Sequence, residues 1–248
     1  MYEGFHRSLK RCSICNSYAI EHSSSLEYVW CALCGTIRTK YKYDGDQYGQ
    51  RYADNYINYA NSPVNQSLNL FRLGLISRWL TPESRILDVG CCVGEFLRFA
   101  EKYYNSCYGF EPNEIAANRA SERTRSCIIM TELNGNSRFD CITMFDVLEH
   151  IEDPIGFLGH CKTILKSNGI LTITTPSLEA VPFGDDTTLR KWKHWKPKEH
   201  LYLYTEMGIM ALLSKIGMEP IHWGHEESDI RPQNPNGDIM TCVARKKS

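Results

Sequence analysis

Ile86-Leu-Asp-Val-Gly-Cys-Cys-Val-Gly94, running on into Glu95-Phe-Leu-Arg-Phe-Ala100, is a short apolar strand, a glycine-flanked turn and the start of a helix. That succession brings bare backbone and a helix N-terminus close to a polar ligand. Glu111 lies 21 positions beyond Gly90, at the end of a second strand-like run, Cys107-Tyr-Gly-Phe-Glu111. An acidic residue about 20 positions past such a turn is where a fold of this kind binds the two hydroxyls of a ribose. Turn and carboxylate together imply a ligand that contains adenosine.

Outward from this stretch the pattern repeats strand, helix, strand, the signature of an α/β, doubly wound, mostly parallel sheet. Strands are expected near 85–89, 106–110, 126–130, 139–144 and 169–174, with helices near 95–104, 113–123 and 154–166 between them. Asn168-Gly169 reads as the stop of the last of these helices. A further helix near Glu206–Ile216 and strands near Glu219–Trp223 and Asp238–Ala244 bring the sheet to seven strands. Ahead of the first strand, Leu68, Phe71, Leu75, Ile76 and Trp79 recur at helical spacing between Asn65 and Leu80.

Composition sets the outer limits. A chain of 248 residues can bury one substantial core and carry a small accessory module. With 42% hydrophobic and 23% charged residues and a formal net charge of −1, it is not built around bulk phosphate binding. No apolar run approaches the roughly 20 residues of a membrane span, and the N-terminus lacks the apolar stretch of a secretory signal. An odd total of 11 cysteines is not a disulfide framework. The expectation is a cytoplasmic protein.

Cys12-Ser-Ile-Cys15 and Cys31-Ala-Leu-Cys34 are two C-x-x-C pairs 15 residues apart. That spacing fits a four-thiolate zinc site, each pair on a tight knuckle. Leu26–Trp30 reads as a strand between them, so residues 1–40 form a candidate zinc ribbon. With neither His nor Asp in the pairs to leave a coordination position open, the zinc is expected to be structural. Residues 41–80 comprise a Tyr-rich linker (41–61) and the helix above. Its tyrosines either pack the ribbon onto the main domain or line an acceptor pocket, and the linker account is the simpler. Residues 81–248 form the main domain.

Four stretches carry a family resemblance. Ile86–Gly94, Gly109-Phe-Glu-Pro112, Phe139-Asp-Cys-Ile-Thr-Met-Phe-Asp-Val-Leu-Glu-His150 and Leu165-Lys-Ser-Asn-Gly-Ile-Leu171 resemble, in order and spacing, the successive motifs of class I S-adenosylmethionine-dependent methyltransferases over roughly residues 80–220. A dehydrogenase turn reads G-x-G-x-x-G. Here it is Gly90-x-x-x-Gly94, with Cys92 where a middle glycine usually stands and its side chain expected to point away from the cofactor. The resemblance implies a Rossmann-like fold and S-adenosylmethionine as cofactor. It implies that Asp88 shapes the first loop and that Gly90, Cys92 and Gly94 let backbone approach the methionine moiety. Glu111, with Pro112 beside it, would accept from the ribose hydroxyls, and Met144 and Phe145 would lie along the methionine. Adenine would meet Thr131, Glu132 or Leu133.

Methyl transfer from a sulfonium needs alignment above all, and a hydroxyl acceptor also needs a base. His150, which ends the family's Leu-Glu-His motif, is either beside the cofactor or a structural hydrogen bonder. His194 and His200 lie after the fifth strand, where this fold builds its acceptor site. Glu199-His200 resembles a Glu-His pair associated with the base in zinc-ribbon methyltransferases that act on sugars, which ranks His200 first, Glu199 orienting it. Arg190, Lys191, Lys193, Lys196 and Lys198 interleave with Trp192 and Trp195. They form either a lid that meets phosphate and stacks on a sugar or base, or a solvated loop with its indoles in the core. Sugar C-methyltransferases resemble the front of the chain but continue into a further large domain, so O-methylation of a small-molecule or glycan acceptor, possibly phosphorylated, is the leading expectation. RNA methylation is a second reading, opposed by the neutral charge and the few ribbon cations, Arg11, Arg38 and Lys40. A non-catalytic scaffold, suggested by Cys92, is a third. Residues 224–237 read as a loop without a role.

Overall fold

The computed structural model describes residues 11–18, 20–22, 27–42, 56–133, 135, 137–182, 186–231 and 237–247. Two sheets organise them. The larger is built from β4 (Arg85–Val89), β5 (Ser106–Phe110), β6 (Ile128–Met130), β7 (Phe139–Phe145), β8 (Leu165–Pro176), β10 (Met218–Gly224) and β11 (Ile239–Lys246), in the order β10-β11-β8-β7-β4-β5-β6. β4 pairs in parallel with both β5 and β7, and β11 runs antiparallel between β8 and β10. The chain therefore starts the sheet in the middle, builds toward β6, and returns to build the other side. The reversal between β4 and β7 opens a crevice at the carboxyl ends of these strands.

Alternation along the strands divides the core into two layers. On one face Leu87, Met144 and Leu171 pack with α4 (Pro154–Ile164) and α6 (Glu206–Ile216). On the other Ile86, Cys141 and Ile170 pack with α1 (Pro63–Ile76) and α2 (Glu95–Ala100). The helices start where side chains cap them. Ser62 accepts from the Asn65 N–H ahead of Pro63, Asn113 accepts from Ala116 at the head of α3 (Glu114–Arg123), and Thr205 accepts from Gly208 at the head of α6. α4 ends at Ile164, earlier than expected. Asn168-Gly169 is not a helix stop but lies within β8, where Phe139 pairs with Leu165 and Cys141 already pairs with Ile170. Asn168 takes a left-handed φ of 62° there, absorbing the extra residues.

The smaller sheet has the order β1-β2-β3-β9, from β1 (Ile20–His22), β2 (Tyr28–Cys31), β3 (Ile37–Thr39) and β9 (Tyr202–Leu203). Its fourth strand comes from far along the chain: Ile37 pairs with Leu203 and Arg38 with Tyr202. Lys215 on α6 donates to the Ser13 carbonyl at 3.1 Å, and the Thr205 hydroxyl donates to the Cys34 carbonyl. A Cβ on Gly35, whose φ is 67°, would stand 2.6 Å from Thr205 Cγ2, so this contact needs glycine. Of the Tyr-rich stretch, residues 43–55 lie outside the described residues. No helix among the described residues is long and apolar enough to cross a membrane.

Asp88 sits inside β4, where its Oδ1 accepts from the Thr143 hydroxyl of β7 at 2.7 Å. Burial pushes its pKa up to about 7, against the lowering influence of Thr143 and Arg72. A carboxyl raised in the folded state keeps a proton that the unfolded chain has lost, so its contribution to stability falls as pH rises from about 4 to about 7. Asp88→Asn is expected to remove that slope, on the order of 1.4 kcal/mol per pH unit across the window. Urea unfolding of both proteins at pH 5 and pH 7.5 checks it, and equal slopes would refute it.

Candidate functional site

A cavity of about 850 Å³ opens at the carboxyl ends of β4, β5 and β7. Its floor is the turn after β4. Gly90 has φ 69°, and its N–H donates to the Phe110 carbonyl at 2.8 Å. A Cβ at Gly90 would lie 2.5 Å from Val147 Cγ2, so the close approach of turn and loop requires glycine. Cys92 also takes a left-handed φ, 47°, and donates its N–H to Glu111 Oε2 at 2.9 Å. Asn113 N–H donates to Oε1 at 3.0 Å. Two backbone amides thus fix the Glu111 carboxylate at the cavity wall, though burial still raises its pKa. A carboxylate has about four acceptor positions, so two remain for the hydroxyls of a ligand.

Gly90, Cys92, Glu111, Pro112 and Phe145 of the sequence-derived set line this cavity. Cys92 was expected to turn away; it borders the cavity as a neutral thiol, burial pushing its pKa up to about 12. Asp88, Gly94 and Met144 do not line it. Asp88 is tied to Thr143 within the sheet, and Met144 is fully buried in the core. Gly94 (φ 76°) serves helix packing, since a Cβ there would meet Ala120 at 3.1 Å. Thr131, Glu132 and Leu133 are likewise absent from the lining, which instead takes Asn113 and Ala116 from the head of α3. Tyr56 and Tyr59 line it too, so part of the Tyr-rich stretch serves the pocket after all.

The lining also includes Glu149, His150, His194, Lys196, Glu199 and His200. His150 Nδ1 lies 2.8 Å from the Glu199 carbonyl, and His200 Nδ1 lies 2.8 Å from the His194 carbonyl. A carbonyl only accepts, so each Nδ1 carries the proton. The two rings meet edge to face at 4.9 Å. Burial lowers the pKa of His150, and burial together with His150 lowers His200 to about 3, so both are neutral at physiological pH. Glu199 does not orient His200 through its carboxylate, which sits 3.6 Å from Lys196 Nζ. Glu149 is buried with its pKa raised to about 8, chiefly by desolvation.

The lid reading of 189–201, a segment that begins within α5 (Asp186–Lys191), changes as well. Trp192 and Trp195 pack with Leu178, Val181 and Leu189, and Trp195 meets the Tyr28 ring edge-on at 5.2 Å. Arg190 pairs with Glu27 and Asp186, and Lys193 with Asp238, leaving Lys196 as the cation of this segment that reaches the cavity.

Residues 224–237 are not a plain loop. They contain α7 (Glu226–Ile230), and Glu227 is completely buried. Arg72 of α1 grips Glu227 at 2.8 and 2.9 Å, while Arg231 bridges Glu227 and Asp146 at 2.8 Å each. Asp146, at φ 57° just beyond β7, lines the cavity with its pKa held near 2 by Arg231 and Arg72 despite burial. The Glu227–Arg231 spacing of four is the one signal the sequence offered.

The four cysteines of the ribbon do not line this cavity. Sulfur atoms of Cys12, Cys15, Cys31 and Cys34 all lie within 4.8 Å of one another, with Cys12–Cys34 at 3.8 Å and Cys15–Cys31 at 3.5 Å. A tetrahedron with metal–sulfur bonds of about 2.3 Å has sulfurs roughly 3.8 Å apart. Each pair is followed by a left-handed residue, Asn16 at φ 64° and Gly35 at φ 67°, which closes the knuckle. The four thiols fit a structural zinc.

Residues 65–222 match a family described as a methyltransferase domain. A ubiquinone biosynthesis O-methyltransferase of Rhodopseudomonas palustris (strain HaA2) is 29% identical over 101 residues, 37% of this chain and 39% of that protein. The chain thus spans about two-fifths of the length of that curated relative. Among solved structures, magnesium protoporphyrin IX methyltransferase from Synechocystis PCC 6803, with bound SAH, has a TM-score of 0.63 at 15% identity, covering 82% of this chain and 97% of that one. N-methyltransferase NodS from Bradyrhizobium japonicum WM9 has a TM-score of 0.54 at 19% identity, covering 76% and 99%. At these identities the structures establish a shared fold.

Removing Arg72 takes away the bidentate partner of a buried carboxylate. Arg72→Met is expected to destabilise the protein by about 3 kcal/mol, the low end for a broken buried pair because Arg231 stays on Glu227. Chemical denaturation measures it, and a loss below about 1 kcal/mol would show that Arg231 suffices alone.

Proposed function

The chain belongs to the methyltransferase-domain family, and on that premise we propose that it transfers a methyl group from S-adenosylmethionine to a hydroxyl of a sugar or glycan acceptor. The observation that carries this reading is that one cavity is lined by two unlike sets of residues. Glu111, fixed by the Cys92 and Asn113 amides next to the Gly90 turn, suits a ribose. Glu149, His150 and His200 line the same cavity.

Bound there, S-adenosylmethionine supplies an electrophilic methyl on a sulfonium. Gly90 would let the backbone approach the methionine part, and Phe145, held by Phe96 at 4.9 Å and by the Arg72 guanidinium at 4.2 Å, would border it. Met144 and Asp88 support that floor from within the sheet. His200 is the residue we place on the acceptor hydroxyl. Its low pKa keeps it neutral and able to accept, but a base works best with a pKa near the working pH. Proton removal therefore draws on its neutral neighbour His150 as well.

The lining holds Glu111, Asp146, Glu149, Glu152 and Glu199 against Lys196 and Arg231, the latter already committed to Asp146 and Glu227. That balance favours an uncharged hydroxyl acceptor over a phosphorylated one. We take residues 1–40 as a ribbon around a structural zinc and 81–248 as the catalytic domain. The many free thiols suit a reducing cytoplasm.

Native mass spectra of the protein with S-adenosylhomocysteine are expected to show increments for one zinc and one nucleoside. Cys15→Ser should lose the zinc. No nucleoside at saturating ligand would defeat the cofactor reading and favour a scaffold. His200→Ala is expected to lower methyl transfer to a panel of sugar acceptors at least ~100-fold while changing S-adenosylhomocysteine affinity less than ~3-fold; normal turnover would take His200 out of the mechanism.

A further inference from the structure

We propose that Glu149, His150 and His200 form a second metal site, separate from the cysteine ribbon, which takes a divalent first-row transition-metal cation. One nitrogen of each ring and one Glu149 oxygen lie within 4.8 Å of one another, close enough to share a single ion. The donors come from two places in the chain, brought together by the Leu201 N–H, which bonds the Glu149 carbonyl at 2.7 Å.

The second observation is the state of Glu149. Its residue is only 1% exposed, and Oε2 accepts from the Thr175 hydroxyl at 3.0 Å. Oε1 has no hydrogen-bond partner, although the residue borders the cavity. A buried carboxylate oxygen without a donor is costly, and a cation is the partner that would satisfy it.

The surroundings match those of metal-binding histidines. A ligating imidazole donates its other N–H to a carbonyl or carboxylate, which fixes the tautomer and the ring. His150 and His200 both hold a backbone carbonyl through Nδ1, presenting Nε2 as the ligand atom. Two imidazoles and one carboxylate suit manganese, iron, cobalt or zinc better than magnesium. Three protein ligands leave positions open toward the cavity, where an oxygen of an incoming molecule would be polarised. This inference goes beyond the proposed reaction: with the ion bound, His200 Nε2 would be a ligand, and the acceptor hydroxyl would be acidified by the ion instead of by His200 as base. The site would bind its ion whether or not the acceptor is a sugar.

Cobalt(II) added to the zinc-loaded protein tests it. The expected result is a weak visible d–d spectrum without the thiolate charge-transfer band of a cysteine site, saturating at one equivalent. Glu149→Gln and His200→Ala should each weaken that binding at least ~10-fold, with S-adenosylhomocysteine binding retained as proof of folding. No saturable spectrum in the unmodified protein, or unchanged affinity in both variants, would overturn the site. Nucleoside binding without cobalt binding would overturn this site alone; cobalt binding without nucleoside binding would leave the site standing and remove the methyltransferase reading.

Discussion

Leu201 is held from both sides. Its N–H bonds the Glu149 carbonyl at 2.7 Å, and its own carbonyl accepts from the Thr39 N–H of the ribbon at 2.9 Å. The side chain is buried, so both bonds are shielded from water. His200 precedes it and β9 follows it. The histidine is therefore positioned between the loop after β7 and the edge of the cysteine ribbon, and its place in the cavity depends on both. Ribbon and main domain share a β-ladder, the Thr205–Cys34 contact and the Lys215–Ser13 bond, which tie the small sheet to the segment that carries His200.

How far the sequence discloses this depends on the range of the interaction. Strands β4, β5 and β7 and the helices between them follow from local alternation and capping, and Glu111 from its distance to Gly90. Such features are set within about 25 residues. Asp88, Gly94 and Met144 belong to the same ordered pattern yet work one layer behind the cavity. Position in a motif says that a residue is needed, and only packing says whether it touches ligand or supports what does. The Glu227–Arg72 pair and the entry of Tyr56 and Tyr59 into the pocket join distant segments, and no local pattern encodes them. The Trp192 and Trp195 indoles could serve a lid or a core equally well by composition; the hydrophobic pocket formed by Leu178, Val181 and Leu189 decided for the core.

Electrostatics within the cavity are sorted by depth. Asp146 is kept ionised by two guanidinium groups, while Glu149, three residues on, lies buried with an unpartnered oxygen. His150 and His200 are kept neutral by burial. Fixed charge thus sits at the cavity surface, where two guanidinium groups reach Asp146, and the groups that burial keeps neutral lie deeper.

The pairing of Ile37 with Leu203 also has a temporal meaning. During synthesis β3 leaves the ribosome ahead of β9, so its outer edge waits unpaired until β9 follows some 165 residues later. An open strand edge is a hazard for a nascent chain. Arg38 on that edge keeps a cation where a stray strand would dock until Tyr202 arrives to lie beneath it. A ribbon folded by then would serve as a template, and His200 would be fixed only once β9 had paired with it.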